Sequence, residues 1–310
     1  MVTILALAAA VLYGTADFLG GVASRRASVF AVLAMTVPAG AVVVVLVALL
    51  GEATGLGGLL GPGALGDPAS VGGWGAVGWA MAAGVCGASG LIAFYAGFAA
   101  APISVVAPVA ALVSTVLPVG VAIADGERLS AALVAGGLLC LIAIAGVSMP
   151  SAGRDGSQSG QSQPGQSQPR VAGPLRALGY GVAAGAGFGL FFLFLKNAGQ
   201  SGVLWPVAIS RTTGTLVAFA IAVATRTRPW QQGGGGIVMI ALVSGAVDAA
   251  ANVCYVLATR AGLFGLAVVV TALYPGMTVL LARVLLGERM RWLQRAGLLL
   301  AAVGVVLLTV

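Results

Sequence analysis

Chemistry in this chain falls to a few polar side chains set among apolar neighbours. Asp248, Asn252 and Tyr255 recur at i, i+4 and i+7, so on a helix they make one polar stripe. Asp17 follows Tyr13 by four residues and puts a second carboxylate beside a phenol on one face. Arg211 stands inside another apolar run. A carboxylate so placed binds a proton or a cationic group, and an arginine attracts an anion or balances a carboxylate. Each has a plainer alternative. Asp17 is hydrated or paired near Arg25, Asp248 is clamped to Arg211, and Lys196 and Arg283, close to run ends, snorkel to the interface. Tyr95, the first-half counterpart of Tyr255, completes the substrate-binding or coupling candidates.

Other chemistries lack their residues. There is no His, and Cys86, Cys140 and Cys254 are far apart in apolar runs, so no metal site, cofactor or disulfide framework is expected. No GxxxxGK[ST] motif is present, which leaves coupling to ATP hydrolysis without support. The net charge of +7 is dispersed in ones, twos and threes, a pattern without the basic face that nucleic acid requires.

The elements that position these residues follow from composition. The 310 residues are 60% hydrophobic and 7% charged, too few charges to cover a water-facing surface. A membrane helix needs roughly 20 mainly apolar residues to cross about 30 Å of hydrocarbon. Ten spans satisfy this: Val2–Val22, Val29–Leu50, Gly75–Ala96, Ile103–Ala124 and Leu129–Met149, then Ala177–Leu195, Val203–Ala224, Ile237–Ala258, Leu263–Leu286 and Trp292–Leu308. Met1–Val22 has no basic segment before it and Arg25 and Arg26 after it, so it reads as a retained span. Pro102, Pro108, Pro118 and Pro275 interrupt backbone hydrogen bonding in spans 4 and 9 or at their ends. The Gly51–Gly73 connection has no assigned conformation, and the Ser/Gln/Gly/Pro tract within 151–173 reads as a disordered linker.

The halves repeat one another. Phe94-Tyr95 precedes Gly126-Glu127-Arg128 as Cys254-Tyr255 precedes Gly287-Glu288-Arg289, with Tyr-to-Gly spacings of 31 and 32 residues. Gly136 and Gly297 follow at equal intervals, keeping the offset near 160. Glu127 and Glu288 read as turn and cap residues. The expected organisation is a first repeat over 1–150, the linker over 151–173 and a second repeat over 174–310. Five spans per repeat make the second enter from the opposite side, so the all-α fold is a pair of inverted five-helix repeats.

Setting aside Arg211 and Arg283 inside spans, one side carries Arg25, Arg26, Arg154, Arg170, Arg176, Arg226, Arg228, Arg289, Arg291 and Arg295, and the other Arg128, Lys196 and Arg260. The positive-inside rule makes the first side cytoplasmic and places both termini outside. Arg in place of Lys, with abundant Gly and Ala, fits a GC-rich bacterial genome and a multi-pass protein of the inner (plasma) membrane.

Tyr95 to Gly136 and Tyr255 to Gly297 resemble the repeated EamA domain of the drug/metabolite transporter superfamily, with Leu286-Gly287-Glu288-Arg289 the nearest match. Tyr13-Gly14 and Phe188-Gly189 resemble its aromatic-Gly step in the first span of each repeat, and Arg211 its second-span arginine. The sequence departs from that pattern at Ser114, where a proline is common, and at Asp125. Many members have a charge bias that places their termini in the cytoplasm, opposite to the count above. The resemblance implies a ten-helix bundle with helices 1, 3, 4, 6, 8 and 9 around a cavity that moves small metabolites or drugs.

The reading is therefore a secondary transporter, with export as its direction, that moves a small solute by alternating access. Its partners are that solute and the bilayer, with no nucleic acid, and the sequence is compatible with a monomer. A proton or solute gradient would supply energy, with Asp248 and Asp17 as titrating groups. The sparse aromatics and charges in the spans point to a small polar or amphipathic solute. A membrane-embedded enzyme would need clustered catalytic groups that are missing. A non-transporting scaffold would gain little from deep acids and repeated helix breaks.

Overall fold

The computed structural model describes residues 1–24, 26–54, 74–100, 103–126, 174–226 and 234–286, with single helical positions at 135, 139, 142, 292, 296, 297, 299, 300 and 303. The expected spans Leu129–Met149 and Trp292–Leu308 lie outside the described residues apart from those positions. So do the linker 151–173, most of Gly51–Gly73, and the Glu127-Arg128 and Gly287-Glu288-Arg289 segments.

Every described element is helical, as a chain without water to satisfy its backbone requires. The order is α1 (Val2–Ser24), α2 (Val29–Thr54), α3 (Trp74–Ala100), α4 (Ile103–Ala124) and α5 (Pro174–Ala198), a 3₁₀ turn (Gly199–Ser201), then α6 (Leu204–Ala224), α7 (Gly235–Ala261), α8 (Phe264–Thr271) and α9 (Tyr274–Leu286). Six of them, α1, α2, α3, α5, α6 and α7, are long and apolar enough to cross a membrane. At about 1.5 Å per residue, the 21 to 27 residues of these helices extend roughly 30–40 Å.

Expected span 9 is two helices. Its break at Ala272–Leu273 follows from Pro275, which has no N–H to give the Thr271 carbonyl. The Thr271 hydroxyl, buried and without a hydrogen-bond partner among the described residues, sits at this break. Where Ser114 replaces that proline, α4 runs unbroken and the Ser114 hydroxyl bonds the Ala111 carbonyl at 3.0 Å. Gly126, at φ +90, closes α4 by donating its N–H to the Ile123 carbonyl at 3.0 Å. The glycine of the first Gly-Glu-Arg is thus a helix terminator.

Packing runs mainly between the first and second halves. α1 lies on α7 as α3 lies on α5, α4 on α5 as α1 on α8 and α9, and α2 on α7 as α3 on α6. Glycine permits the closest crossings. Thr36 and Gly40 of α2 close on Gly245 of α7, where a Cβ on Gly40 would lie 2.7 Å from the Gly245 carbonyl oxygen. Ser210 and Gly214 of α6 close on Gly84 of α3, where a Cβ would lie 2.8 Å from Thr213 Cβ.

Contacts at the two ends fix the helix directions. Trp205 Nε1, at the start of α6, donates to Glu52 at the end of α2 at 2.8 Å, while Val37 meets Gly214, so α2 and α6 run antiparallel. Gly185 faces Ala110 and Val113, and Lys196 Nζ pairs with Asp125 at 3.6 Å, so α4 and α5 run parallel and end together. α4 therefore ends at the end of the bundle opposite to the start of α5.

Candidate functional site

The polar stripe of α7 is brought against α6 and α1. Asp248 lies near the middle of α7 and pairs with Arg211 of α6. The pair is largely withdrawn from solvent, with side-chain exposures of 13% for Arg211 and 28% for Asp248. One turn on, Asn252 donates its amide to the Asp248 backbone carbonyl at 2.6 Å and accepts the Tyr13 hydroxyl of α1 at 2.9 Å. Tyr13 to Asn252 to Asp248 to Arg211 is thus one connected polar chain across three helices.

Several contacts hold α1 in this register. Ser244 of α7 donates to the Ala16 carbonyl at 2.8 Å and Thr278 of α9 to the Gly14 carbonyl at 3.1 Å. Gly14 is needed for the second, because a Cβ there would lie 2.6 Å from Met277 Cβ. The Tyr13 ring stands edge-on to Phe192 and Tyr274, with centroids 6.0 and 6.3 Å away.

These residues line one cavity of about 180 Å³. Tyr13, Asp17, Arg211, Asp248 and Asn252 all face it, joined by Ser210. The remainder is apolar, and aromatic to a degree that the sequence reading missed. Tyr13, Phe30, Phe94, Phe188, Phe191, Phe192 and Tyr274 all line it, seven of the 20 Phe, Trp and Tyr residues in the chain. The reading of sparse aromatic lining is corrected by this concentration. A sign lay in the sequence, where Phe188, Phe191 and Phe192 fall on one face at i, i+3 and i+4.

Two other candidates lie elsewhere. Tyr255 is fully buried behind the cavity, where its hydroxyl donates to the Phe192 carbonyl at 3.1 Å and its ring packs on Phe192 at 4.7 Å. The Tyr95 side chain lies outside the described residues, although its backbone is part of α3. Asp17, on the same face as Tyr13, has no ion pair or hydrogen bond among the described residues. Arg25, its expected neighbour, lies outside them.

The helices lining the cavity differ from those that the resemblance implied. Spans 2 and 7 (α2 and α6) join spans 1, 3, 6, 8 and 9, whereas no described residue of span 4 lines it. The glycine crossings at Gly84 and Gly245 let α6 and α2 approach closely enough to contribute Arg211 and Phe30. In contrast, α4 packs behind α5, with Val113 Cβ 2.6 Å from where a Gly185 Cβ would be.

The cavity reaches one end of the bundle and stops short of the other. Phe30 is the second residue of α2, and Ile221 is three residues from the end of α6. At the far end lie the Lys196–Asp125 and Trp205–Glu52 contacts, with Lys196 Nζ also 4.6 Å over the Phe264 ring.

Comparison with known proteins bears on the family and the fold. Residues 175–310 match the EamA-like transporter family. The resemblance carried by Leu286-Gly287-Glu288-Arg289 is borne out over this EamA-like half. The fold extends further. One solved crystal structure superposes over 99% of this chain and 96% of its own, with a TM-score of 0.71 at 18% identity, a likeness of fold alone. No curated protein matches the sequence. The apolar helices and the EamA match over residues 175–310 together support a multi-pass membrane protein.

Proposed function

We propose that the chain is a secondary transporter that carries a small organic solute by alternating access between two inverted repeats, 1–150 and 174–310. The observation that carries this reading is a central cavity with an ion pair in its wall, reaching one end of the bundle and stopping short of the other. Such a site, near the middle of a membrane bundle, is what a rocking carrier requires. The repeat is supported by the paired packing of helices and by the two glycine crossings, Thr36 and Gly40 on Gly245, and Ser210 and Gly214 on Gly84. Inversion is supported by α2 and α6, equivalent under the repeat yet antiparallel.

Arg26, Arg176 and Arg226 lie at the open end of the cavity, and Lys196 and Arg260 at the far end. If the basic end is cytoplasmic, both termini are outside and the cavity loads from the cytoplasm of a bacterial cell, consistent with export. The far end is closed by two contacts that join one half to the other, so opening it must break Lys196–Asp125 and Trp205–Glu52.

The test is flux in proteoliposomes, screening amino acids, sugars, nucleosides and organic cations with and without a pH gradient. Saturable, gradient-driven flux abolished in Asp248→Asn is the expected result. Wild-type flux retained in full by Asp248→Asn removes Asp248 from coupling, and no flux of any solute by folded protein overturns the carrier reading.

A further inference from the structure

Most of the Arg211 guanidinium is left free by its ion pair. Asp248 meets it at one terminal nitrogen, Nη2, and no other hydrogen bond or ion pair engages its remaining N–H groups among the described residues. The preceding residue adds another donor. Ser210 lines the same cavity at 3% exposure, and its hydroxyl makes no hydrogen bond among the described residues. A hydroxyl withdrawn from water and left unpaired is costly, and a ligand acceptor removes that cost. Guanidinium and hydroxyl, adjacent on α6, thus make a corner of donors, and the fork of an arginine matches a carboxylate. Leu33, Val37, Leu91 and Ile92 add apolar surface elsewhere in the wall.

Resting on the carrier reading above, we infer that the Arg211–Ser210 corner receives the carboxylate of a solute with an apolar, ring-sized body, and that Asp248 takes up a proton as it yields the guanidinium. The size follows from the cavity, because an apolar cavity of about 150 Å³ holds benzene and this one measures about 180 Å³. The proton follows from charge. Asp248 shares the cavity with Arg211 of α6 and with Tyr13 and Asp17 of α1. Among the described residues, α2, α3, α5 and α9 bring to it no charged side chain and one further titratable group, Tyr274. A second carboxylate on Arg211 sets one cation against two anions, an imbalance that is costly at membrane depth. A proton passing from water to the Asp248 carboxylate removes it, and Arg211 then pairs with the solute. For a solute without a cation of its own, binding and proton uptake are one event.

Phenylacetate is the probe, with phenylacetamide as its uncharged counterpart and acetate as the carboxylate without a ring. Equilibrium binding by titration calorimetry, on the purified full chain in detergent, needs no assumption about flux. Phenylacetate is expected to bind, with phenylacetamide and acetate each about 10-fold or more weaker. Its affinity should rise by up to about 10-fold per pH unit as pH falls from about 8 to about 6. Arg211→Lys, which keeps the charge and loses the fork, should weaken phenylacetate by about 10-fold or more, and Ser210→Ala by roughly 2- to 10-fold. In Asp248→Asn the pH dependence should vanish and binding at about pH 8 should be tighter than in wild type, a result that a purely structural ion pair would not give. Melting curves establish that each variant is folded.

Equal binding of phenylacetamide, undiminished phenylacetate binding by folded Arg211→Lys, pH dependence kept by folded Asp248→Asn, or no binding of phenylacetate at millimolar concentration each overturns the inference. Failure here is separable from failure of the carrier reading. Flux of another solute without phenylacetate binding removes only the carboxylate, whereas phenylacetate binding without flux of any solute removes only the carrier.

Discussion

Neutralising the Arg211–Asp248 pair one charge at a time, and then both together, separates a structural clamp from a working part. Exposed ion pairs are worth about 0.2–1 kcal/mol, whereas removing one partner of a fully buried pair costs about 3–5 kcal/mol. With exposures of 13% and 28%, this pair lies between those limits, nearer the buried one. Arg211→Gln and Asp248→Asn should each cost on the order of 2–3 kcal/mol, chiefly because each strands the opposite charge in an apolar wall. The double variant strands neither, so it should cost no more than about 3 kcal/mol, giving a coupling of on the order of 2 kcal/mol. In thermal unfolding of detergent-solubilised protein, each single variant should lose roughly 4–8 °C and the double variant no more than the worse single. Strictly additive losses would refute the coupling and with it the pair as a unit. Flux then decides its role, since a clamp alone regains transport in the double variant along with stability. The site reading expects stability to return without transport.

Three further outcomes follow from the geometry. Gly245→Ala should destabilise by about 1–3 kcal/mol, because the new Cβ collides with the Thr36 backbone, 2.8 Å from its carbonyl carbon. Gly21→Ala, which meets nothing within 4 Å, should be neutral or stabilising by up to about 1 kcal/mol, and melting temperatures compare the two. Tyr13→Phe and Tyr255→Phe each delete one hydroxyl bond worth roughly 1 kcal/mol. Only Tyr13→Phe should alter KM for transport, since Tyr255 lies behind the wall. Lys196→Met together with Glu52→Leu should raise the population open at the end of the bundle where they lie by up to about 30-fold, each exposed contact contributing at most about 1 kcal/mol. Alkylation of an Ala88→Cys probe by an impermeant reagent applied from either side, with native cysteines replaced, measures that shift, and labelling unchanged from wild type refutes the gate.

The sequence made the helices legible because apolar runs of about 20 residues admit few other structures in a bilayer. It made the polar stripe legible because Asp248 and Asn252 are too costly to face lipid. Other features depended on depth and partners that a one-dimensional pattern does not encode. Tyr255 shares the face of Asp248 by spacing, yet it sits seven residues, about two turns, further along α7, where Phe192 and its carbonyl claim the ring and hydroxyl. The break in span 9 was signalled by Pro275, but Pro108 and Pro118 are accommodated within continuous α4, so proline alone was no guide to where a helix divides. The aromatic wall was hidden because its rings come from α1, α2, α3, α5 and α9, one to three from each. α3 and α5 carry five aromatics each, yet α5 gives three to the wall and α3 gives Phe94 among the described residues, so aromatic content alone did not mark the lining.

The proposed repeat also explains why the ion pair lies in one half. If Ser210 and Gly214 correspond to Thr36 and Gly40, Arg211 occupies the position of Val37. If Gly245 corresponds to Gly84, Asp248 occupies the position of Gly87. The frame is thus near-symmetric while the lining is not. On one wall an arginine and an aspartate meet. On the other, the absence of a side chain at Gly87 lets the Phe191 ring come within 2.9 Å of where a Cβ would be. Charge and ring face one another because the same crossing was filled with opposite chemistry. Alternating access requires two packings of similar energy, a condition that the matched glycine crossings favour, since either can loosen while the other closes. Selectivity requires the reverse, a site unlike itself under the twofold. Separating the two requirements, with Gly214 and Gly245 at the crossings and Arg211 and Asp248 each three residues from them, lets one vary without disturbing the other.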